Sequence, residues 1–499
     1  MAAERCTKRA LRGVPGEPHR VSRGRWPMKL VALSMFVLVR FVCTVGLAQS
    51  PAQPDWAALE DETLRHYQTV LRLDTSNPPG NEHLAADYVK QVFDREGIPA
   101  QIVALDANRS NVVARLKGNG RKRPLLIMGH TDVVTVDAAK WRYPPFSATR
   151  EGGYVYGRGA VDDKDNLTAG LMTMLLLKRL NVPLDRDVIF LAEAGEEGNS
   201  NFGIEFMVNQ HFPEIDAEYC LAEGGGVTRI GGEVKYATVQ TLEKIPRGIE
   251  LVAHGISGHG SIPLRSNAIV HLAGAVARVG EWRPDIRFNE TTRTYFGGLA
   301  AISPPEVAKY YRDVLSMDPK VRAAADDWLF ENEPRHSSML RTSVSPNIFT
   351  GGYRSNVIPS EAKATLDVRV LPDEDPIKFL EQVKHVVNYP AVDVRFSAQN
   401  VRPGGAETRL DLEAFQALEA AGTRIYNTVT LPTMGTGATD MAQLRAKGVQ
   451  CFGIGPATDM EEGSKGFGAH SDQERLLESE LHRFVRFNWD VVVNLAKAN

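Results

Sequence analysis

Histidines and carboxylates recur in this sequence at the ends of short apolar runs, most of them with glycine nearby. The run 124–129 leads into His130, with Asp132 two residues on; the run 188–192 leads to Glu196 and Glu197; the run 219–222 ends at Glu223. An acid pair, Asp162-Asp163, precedes a helical pattern, and His470 lies in Ala469-His470-Ser471-Asp472 ahead of the last one. Singly, each has a bland reading. A histidine at a strand end is usually structural, and Asp-Asp-Lys suits any helix start, where acids meet the favourable end of the dipole. Together they make a donor set. Carboxylates and imidazoles without thiolates suit zinc, cobalt or manganese. Two histidines and three carboxylates can hold a metal pair if one carboxylate bridges, and Asp132 is placed to orient the His130 ring. Neighbouring Glu196 and Glu197 cannot easily both bind metal, which leaves one free as a general base.

Such residues need a frame that gathers strand ends. Residues 56–70 and 82–96 carry helical periodicity, separated by the breaker Asn77-Pro78-Pro79-Gly80. Apolar runs at 111–116, 124–128, 188–192 and 219–222 alternate with helical patterns at 167–180 and 203–209. This alternation predicts a mostly parallel sheet with helices on both faces, ligands meeting at the carboxyl ends of its strands. Near Lys244 the pattern changes. Strands at 247–254, 362–370 and 392–396 and helices at 267–279 and 375–387 suggest a β-α-β-β-α-β sandwich. The stretch 283–347, rich in Tyr, Arg and Pro, exceeds what that sandwich needs. A helix at 412–426, a strand at 449–454 and a helix at 478–495 then resume the first pattern. The expected fold class is α/β with an inserted α+β, ferredoxin-like lid. Its expected bounds are a leader at 1–48, a catalytic domain at 49–244 and 404–499, and the lid at 245–403.

Bulk properties agree. A chain of 499 residues suggests two domains with additions, and 43% hydrophobic and 24% charged residues are ordinary for a globular protein. Residues 1–48 hold nine Lys and Arg against two acids; the rest has 49 bases against 59 acids, a net of −10. An acidic body without a basic stripe argues against a nucleic-acid partner. From Met28, Lys29 precedes an apolar run broken once by Arg40 and ending in Gly46-Leu47-Ala48, the pattern of an export signal cleaved near Gln49. Left uncleaved, the same run is a membrane anchor. Beyond the leader only Cys220 and Cys451 remain, too few for a disulfide scaffold, and they read as buried thiols.

The motifs around His130 and Asp132, Gly157-Arg158-Gly159-Ala160-Val161-Asp162-Asp163-Lys164, Glu196-Glu197-Gly198, Glu223-Gly224-Gly225 and Ala469-His470-Ser471-Asp472 resemble, in order, those of the di-zinc aminoacylase/carboxypeptidase family. The resemblance extends from about Trp56 to the C-terminus, and implies a zinc-exopeptidase-like catalytic domain. It implies His130 and Glu223 on one zinc, Glu197 and His470 on the other, Asp162 bridging through a cis peptide to Asp163, and Glu196 as general base. It implies two zinc ions per subunit, with cobalt or manganese as alternatives. Asp165 stands where relatives often have Gly, which would alter the polarity of the rim. In the lid, Gly255-Ile256-Ser257-Gly258-His259 resembles the motif whose histidine polarises the scissile carbonyl, often in a neighbouring subunit, so a homodimer through the lid is implied. Asn356 and Arg369 match segments that bind a substrate carboxylate, Arg through bidentate pairing. Gly437 and Thr439 belong to a Gly-rich loop that could add donors. The long lid most resembles the carboxypeptidase S and secreted N-acyl-amino-acid hydrolase branch. The implied activity is hydrolysis of an amide beside a free amino-acid carboxylate, on small peptides or N-acyl amino acids. Its rivals are a dipeptidase or aminopeptidase, whose relatives tend to carry Asp at the Glu223 position, a reversible N-acyl-amino-acid synthase, and a silent binding protein.

Overall fold

The computed structural model describes residues 53–397 and 402–498; the expected export signal lies outside them. The main sheet runs Ala100–Asp106, Arg109–Leu116, Val188–Glu193, Leu125–His130, Tyr219–Ala222, Gln450–Gly453, Glu233–Glu243, Gly226–Ile230, Ala457–Asp459, with Thr430–Gly435 also paired to Glu233–Glu243. Four inner strands, from Val188–Glu193 to Gln450–Gly453, are mutually parallel. Side chains alternate between two cores, as the two-residue strand period requires. Leu125, Ile127, Val188 and Phe190 face helices His83–Arg95, Lys164–Arg179, Glu413–Ala421 and Glu478–Ala496. Leu126, Met128, Ile189 and Leu191 face Ile204–Gln210 and Met441–Ala446. Cover on both faces explains why these strands read as unbroken apolar runs. Cys220 and Cys451 are buried free thiols at partnered positions of adjacent strands.

A second sheet is antiparallel, in the order Val392–Phe396, Ile249–His254, Glu361–Val370, Ser343–Gly351. Numbered along the chain this is 4-1-3-2, the ferredoxin-like order. Its helices Ala268–Glu281 and Pro376–Val387 start at Asn267 and Asp375, whose side chains accept from backbone amides of the first turn. The strand Ser343–Gly351 was not placed by the sequence pattern, because all but its first two residues are exposed and no alternation marks it.

The stretch 283–347 is mainly helical: Glu290–Ile302, Pro305–Asp313, Pro319–Asn332 and Pro334–Met339. Pro305, Pro319 and Pro334 are helix starts, where a missing N–H costs nothing. This insert has its own core around Phe296, Tyr311 and Leu329, closed by Leu242, Leu431 and Met434 of the main sheet. The helix expected over 412–426 ends at Ala421 and passes into a wider π turn, Gly422–Tyr426. There Gly422 lies so close to Thr430 that an added Cβ would sit 2.3 Å from its Oγ1. Among the described residues no helix is long and apolar enough to cross a membrane.

Candidate metal centre

His130 is the last residue of its strand, Glu193 ends the parallel strand beside it, and Glu196 and Glu197 follow. Glu223 immediately follows Tyr219–Ala222, so three parallel strands deliver their ligands to one edge. Asp162 arrives from the loop before helix Lys164–Arg179, with a cis bond to Asp163 as expected. His470 comes from the loop before the last helix, with its backbone in the left-handed region at φ 61°. The arrangement makes two donor groups, His130 with Asp162 and Glu223, and Asp162 with Glu197 and His470; in each, the ligand atoms lie within 4.8 Å of one another. Asp162 belongs to both. One of its oxygens lies 3.0 Å from His130 Nε2 and the other 3.0 Å from His470 Nε2, which is the geometry of a bridge. His470 Nε2 is also 2.9 Å from Glu197.

Asp132 is buried behind His130. One of its oxygens accepts from the amides of Gly195 and Glu196, at 3.0 and 3.1 Å. The other accepts from the Glu197 amide at 3.1 Å and Asn77 Nδ2 at 2.8 Å. One carboxylate thus fixes the loop carrying Glu196 and Glu197. Asp163 accepts from the His130 amide at 3.2 Å, and from Asn166 at 2.6 Å.

Burial pushes Glu196 up to about 8 against the pull of Arg402, and raises Glu223 well above the carboxylate range with help from Glu196. Burial likewise lifts Asp163 to about 7 and Asp440 to about 6. His130 rises well above its ordinary value: burial opposes this, but hydrogen bonds to Asp132 and Asp162 prevail. His470 is held at about 10, first by Asp162 and then by Glu197. A buried crowd of acids, too closely packed to ionise together, matches a site built around divalent positive charge. The donor set and the shared Asp162 fit a metal pair.

Glu196 belongs to neither donor group. Its carboxylate accepts from Arg402 at 2.8 Å, and Arg402 also lies 3.3 Å from Asp440. Sequence reading missed Arg402, Asn77 and Asp440. Arg402 had no motif to mark it, whereas Asn77 stood in a Pro-Pro-Gly stretch read only as a breaker. Asp165 corrects an expectation: it lies fully buried in the first helical turn, away from any rim, with neither carboxylate oxygen hydrogen-bonded.

The lid candidates lie elsewhere. His259 and Asn356 meet where Gly258–His259 pairs antiparallel with Val357–Ile358, and the Gly260 amide donates to the Asn356 carbonyl at 2.8 Å. Arg369 pairs with Asp367 on its own strand, at 2.8 and 3.3 Å. Thr439 spends its hydroxyl and amide on Glu243, at 2.7 and 3.2 Å, while Gly437 is exposed. Among the described residues no hydrogen bond or ion pair joins His259, Asn356 or Arg369 to the two donor groups.

Residues 126–492 match the model of peptidase family M20/M25/M40. The chain belongs to this family. It is 28% identical over 393 residues to the probable carboxypeptidase S-like 2 of Dictyostelium discoideum, covering 75% of this chain and 72% of that one. It is 29% identical over 271 residues to the human N-fatty-acyl-amino acid synthase/hydrolase PM20D1, covering 53% of each. The solved M20 family metallo-carboxypeptidase of Sulfolobus solfataricus superposes with a TM-score of 0.67 at 21% identity, over 87% of this chain and 98% of that one. This M20 chain is a hydrolase of the metallopeptidase class, and its mixed α/β sheet with a separate lid is the architecture of that fold.

Proposed function

We propose that this M20 hydrolase uses two zinc ions to cut an amide bond next to a free amino-acid carboxylate, as a carboxypeptidase or N-acyl-amino-acid amidohydrolase. The observation that carries this is a pair of donor groups sharing Asp162, with Glu196 unassigned to either and beside both. Ions held by His130, Glu223, Glu197, His470 and Asp162 would supply an acidified water and charge for the oxyanion. Glu196 takes the proton of the attacking water and passes it to the leaving amine. Arg402 holds the Glu196 carboxylate in place, and Asp132 holds the loop beneath it.

His259 completes the site in this reading. Its Nδ1 accepts from the Ser261 amide at 3.1 Å, so in the neutral ring the proton sits on Nε2, as a donor to a carbonyl oxygen needs. Supply of His259 by a neighbouring subunit is supported by the lid surface. The edge strand Ser343–Gly351 is exposed with Ile348 at 57% and Phe349 at 47%, and Ile256, Ile262 and Tyr353 are exposed too. Asn356, Arg369, Gly437 and Thr439 are then the carboxylate side; Arg369 must leave Asp367, and Thr439 must share with Glu243. Export is supported by the apolar run after Met28, and N-terminal sequencing of native protein, expected to start near Gln49, tests it.

The decisive experiment pairs metal analysis with turnover of N-acyl amino acids and C-terminal dipeptides. Glu196→Gln should keep two metals per chain and lose several orders of magnitude in kcat. Activity surviving exhaustive chelation, or an unimpaired Glu196→Gln enzyme, sinks the assignment.

A further inference from the structure

The chain passes between the main sheet and the lid sheet twice, and the two crossings lie side by side. The outward one leaves Glu233–Glu243 and runs through Lys244 to the lid strand Ile249–His254. The returning one leaves Val392–Phe396, the last lid strand, and passes Arg402. The Ser397 amide donates to the Gly248 carbonyl at 2.9 Å, and the Thr408 amide to the Thr241 carbonyl at 3.0 Å. Between these two contacts the return crossing is closely packed. A Cβ added to Gly404 would lie 3.0 Å from Ile245 Cδ1, and one added to Gly405 would lie 2.6 Å from Arg445 Cβ.

Arg247 ties the crossings together near their middle. Its Nη1 donates to the Pro246 carbonyl at 2.9 Å and to the Arg402 carbonyl at 3.0 Å. Arg247 is half-buried, burial lowers its pKa, and among the described residues no carboxylate pairs with it. A half-buried charge spent on carbonyls alone holds backbone in place. The backbone it holds carries the guanidinium that grips Glu196. Arg402 Nη2 donates to the Glu196 carboxylate at 2.8 Å and to the Glu196 carbonyl at 3.1 Å, so it fixes both ends of that residue. On its other side Arg402 Nη1 lies 3.3 Å from Asp440 and makes no hydrogen bond to it. Asp440 supplies charge without a directed contact, so the position of the Arg402 backbone decides where the guanidinium sits. In the amidohydrolase reading, on which this inference rests, Glu196 must meet the attacking water, and a misplacement of about 1 Å costs on the order of a hundredfold. We infer that Arg247 is a further positioning residue for the hydrolysis: from the lid side of the hinge it fixes Arg402, and through Arg402 the seating of the lid sets the general base.

The test compares the zinc-loaded full chain with Arg247→Met, Arg402→Met and the double variant, by turnover of an N-acyl amino acid and by amide hydrogen exchange. Arg247→Met should lower kcat about tenfold, the worth of one charge-assisted hydrogen bond, with KM nearly unchanged, and Arg247→Lys should recover part of the loss. The double variant should be no slower than Arg402→Met alone, because both substitutions break the same chain of contacts. Exchange in peptides covering 195–198, whose first three amides donate to Asp132, should quicken severalfold in Arg247→Met, while peptides covering 219–222 keep the wild-type rate. Losses in kcat that multiply in the double variant, or unchanged exchange at 195–198, overturn the link while leaving the amidohydrolase reading standing. Should Arg247→Met not fold, Arg247→Gln takes its place with the same expectations. No cleavage of any N-acyl or peptide substrate by the wild type overturns the amidohydrolase reading, and the positioning role with it.

Discussion

Asp132→Asn changes one atom in the member of the site that touches no substrate in the proposed reaction. The wild-type carboxylate accepts four hydrogen bonds, two at each oxygen, from Gly195, Glu196, Glu197 and Asn77. An amide keeps one accepting oxygen and turns the other corner into a donor facing two donors. Asn77 can reverse its own amide and accept, restoring one contact. The Glu197 amide cannot reverse. The net loss is one hydrogen bond to a charged acceptor, about 1.5–3 kcal/mol, together with the negative charge that supports His130. Because the contact positions Glu196 and Glu197 together, that loss converts to about 10- to 150-fold in kcat/KM. Metal affinity should fall alongside by about 10- to 100-fold, the usual cost of removing an outer partner of a ligating histidine. The assay is kcat/KM at saturating zinc, with zinc affinity from chelator competition and a denaturation midpoint to show the fold is kept. A folded Asp132→Asn enzyme within threefold of wild type in both measurements would refute the reasoning.

Arg402→Met should lower kcat about 10- to 150-fold with KM nearly unchanged, since it removes one charge-assisted contact to the base, and Lys should rescue part of it; equal losses in both parameters would mean a binding role. Lys244 is fully buried, donating to Ser338 and Ser343, and burial, aided by Arg369 and Arg341, holds it at about 7. Its folded value lies below the unfolded one, so the native state carries fewer protons between pH 7 and about 10, and stability from this group rises as pH climbs through that window. The unfolding free energy of the wild type relative to Lys244→Met should therefore rise by about 1.4 kcal/mol per pH unit between 7 and about 10; parallel curves in urea denaturation would contradict it. Gly225→Ala places a Cβ 2.1 Å from the Gly453 carbonyl and 2.6 Å from that of Thr238, both backbone. Overpacking there should cost at least about 1–3 kcal/mol, read as a lower thermal midpoint, and should weaken metal binding because Glu223 sits two residues away.

Much of the candidate site was legible because its candidate ligands are tied to strand ends. Apolar runs with alternating cores place His130, Glu196 and Glu223 on one edge, and a pattern reader sees those runs directly. The two lid helices expected from 267 and 375 do begin there, capped by Asn267 and Asp375. What escaped depends on partners distant in sequence. Thr430–Gly435 reads as a loop on its own and is a strand through its pairing with Glu233–Glu243, which lies far away in sequence. Arg402 is an ordinary arginine until the fold brings Glu196 to it. The stretch 283–347 was left without elements, and three of its helices begin at Pro305, Pro319 and Pro334, a residue that ends one helix as readily as it begins the next.

The position of Gln450–Gly453 has a consequence for how the chain comes into being. This strand lies between Tyr219–Ala222 and Glu233–Glu243, so the middle of the sheet is filled by almost the last strand to be synthesised. A growing chain that has already made His130, Asp162 and Glu223 still holds a slot with two bare strand edges. Such edges invite pairing with other chains, and the slot stays open throughout synthesis of the whole lid. His470 comes later still, so the second donor group cannot close around an unfinished chain. Hydrolytic competence is thereby deferred to completion, and the same connectivity makes the incomplete chain a natural client for chaperones.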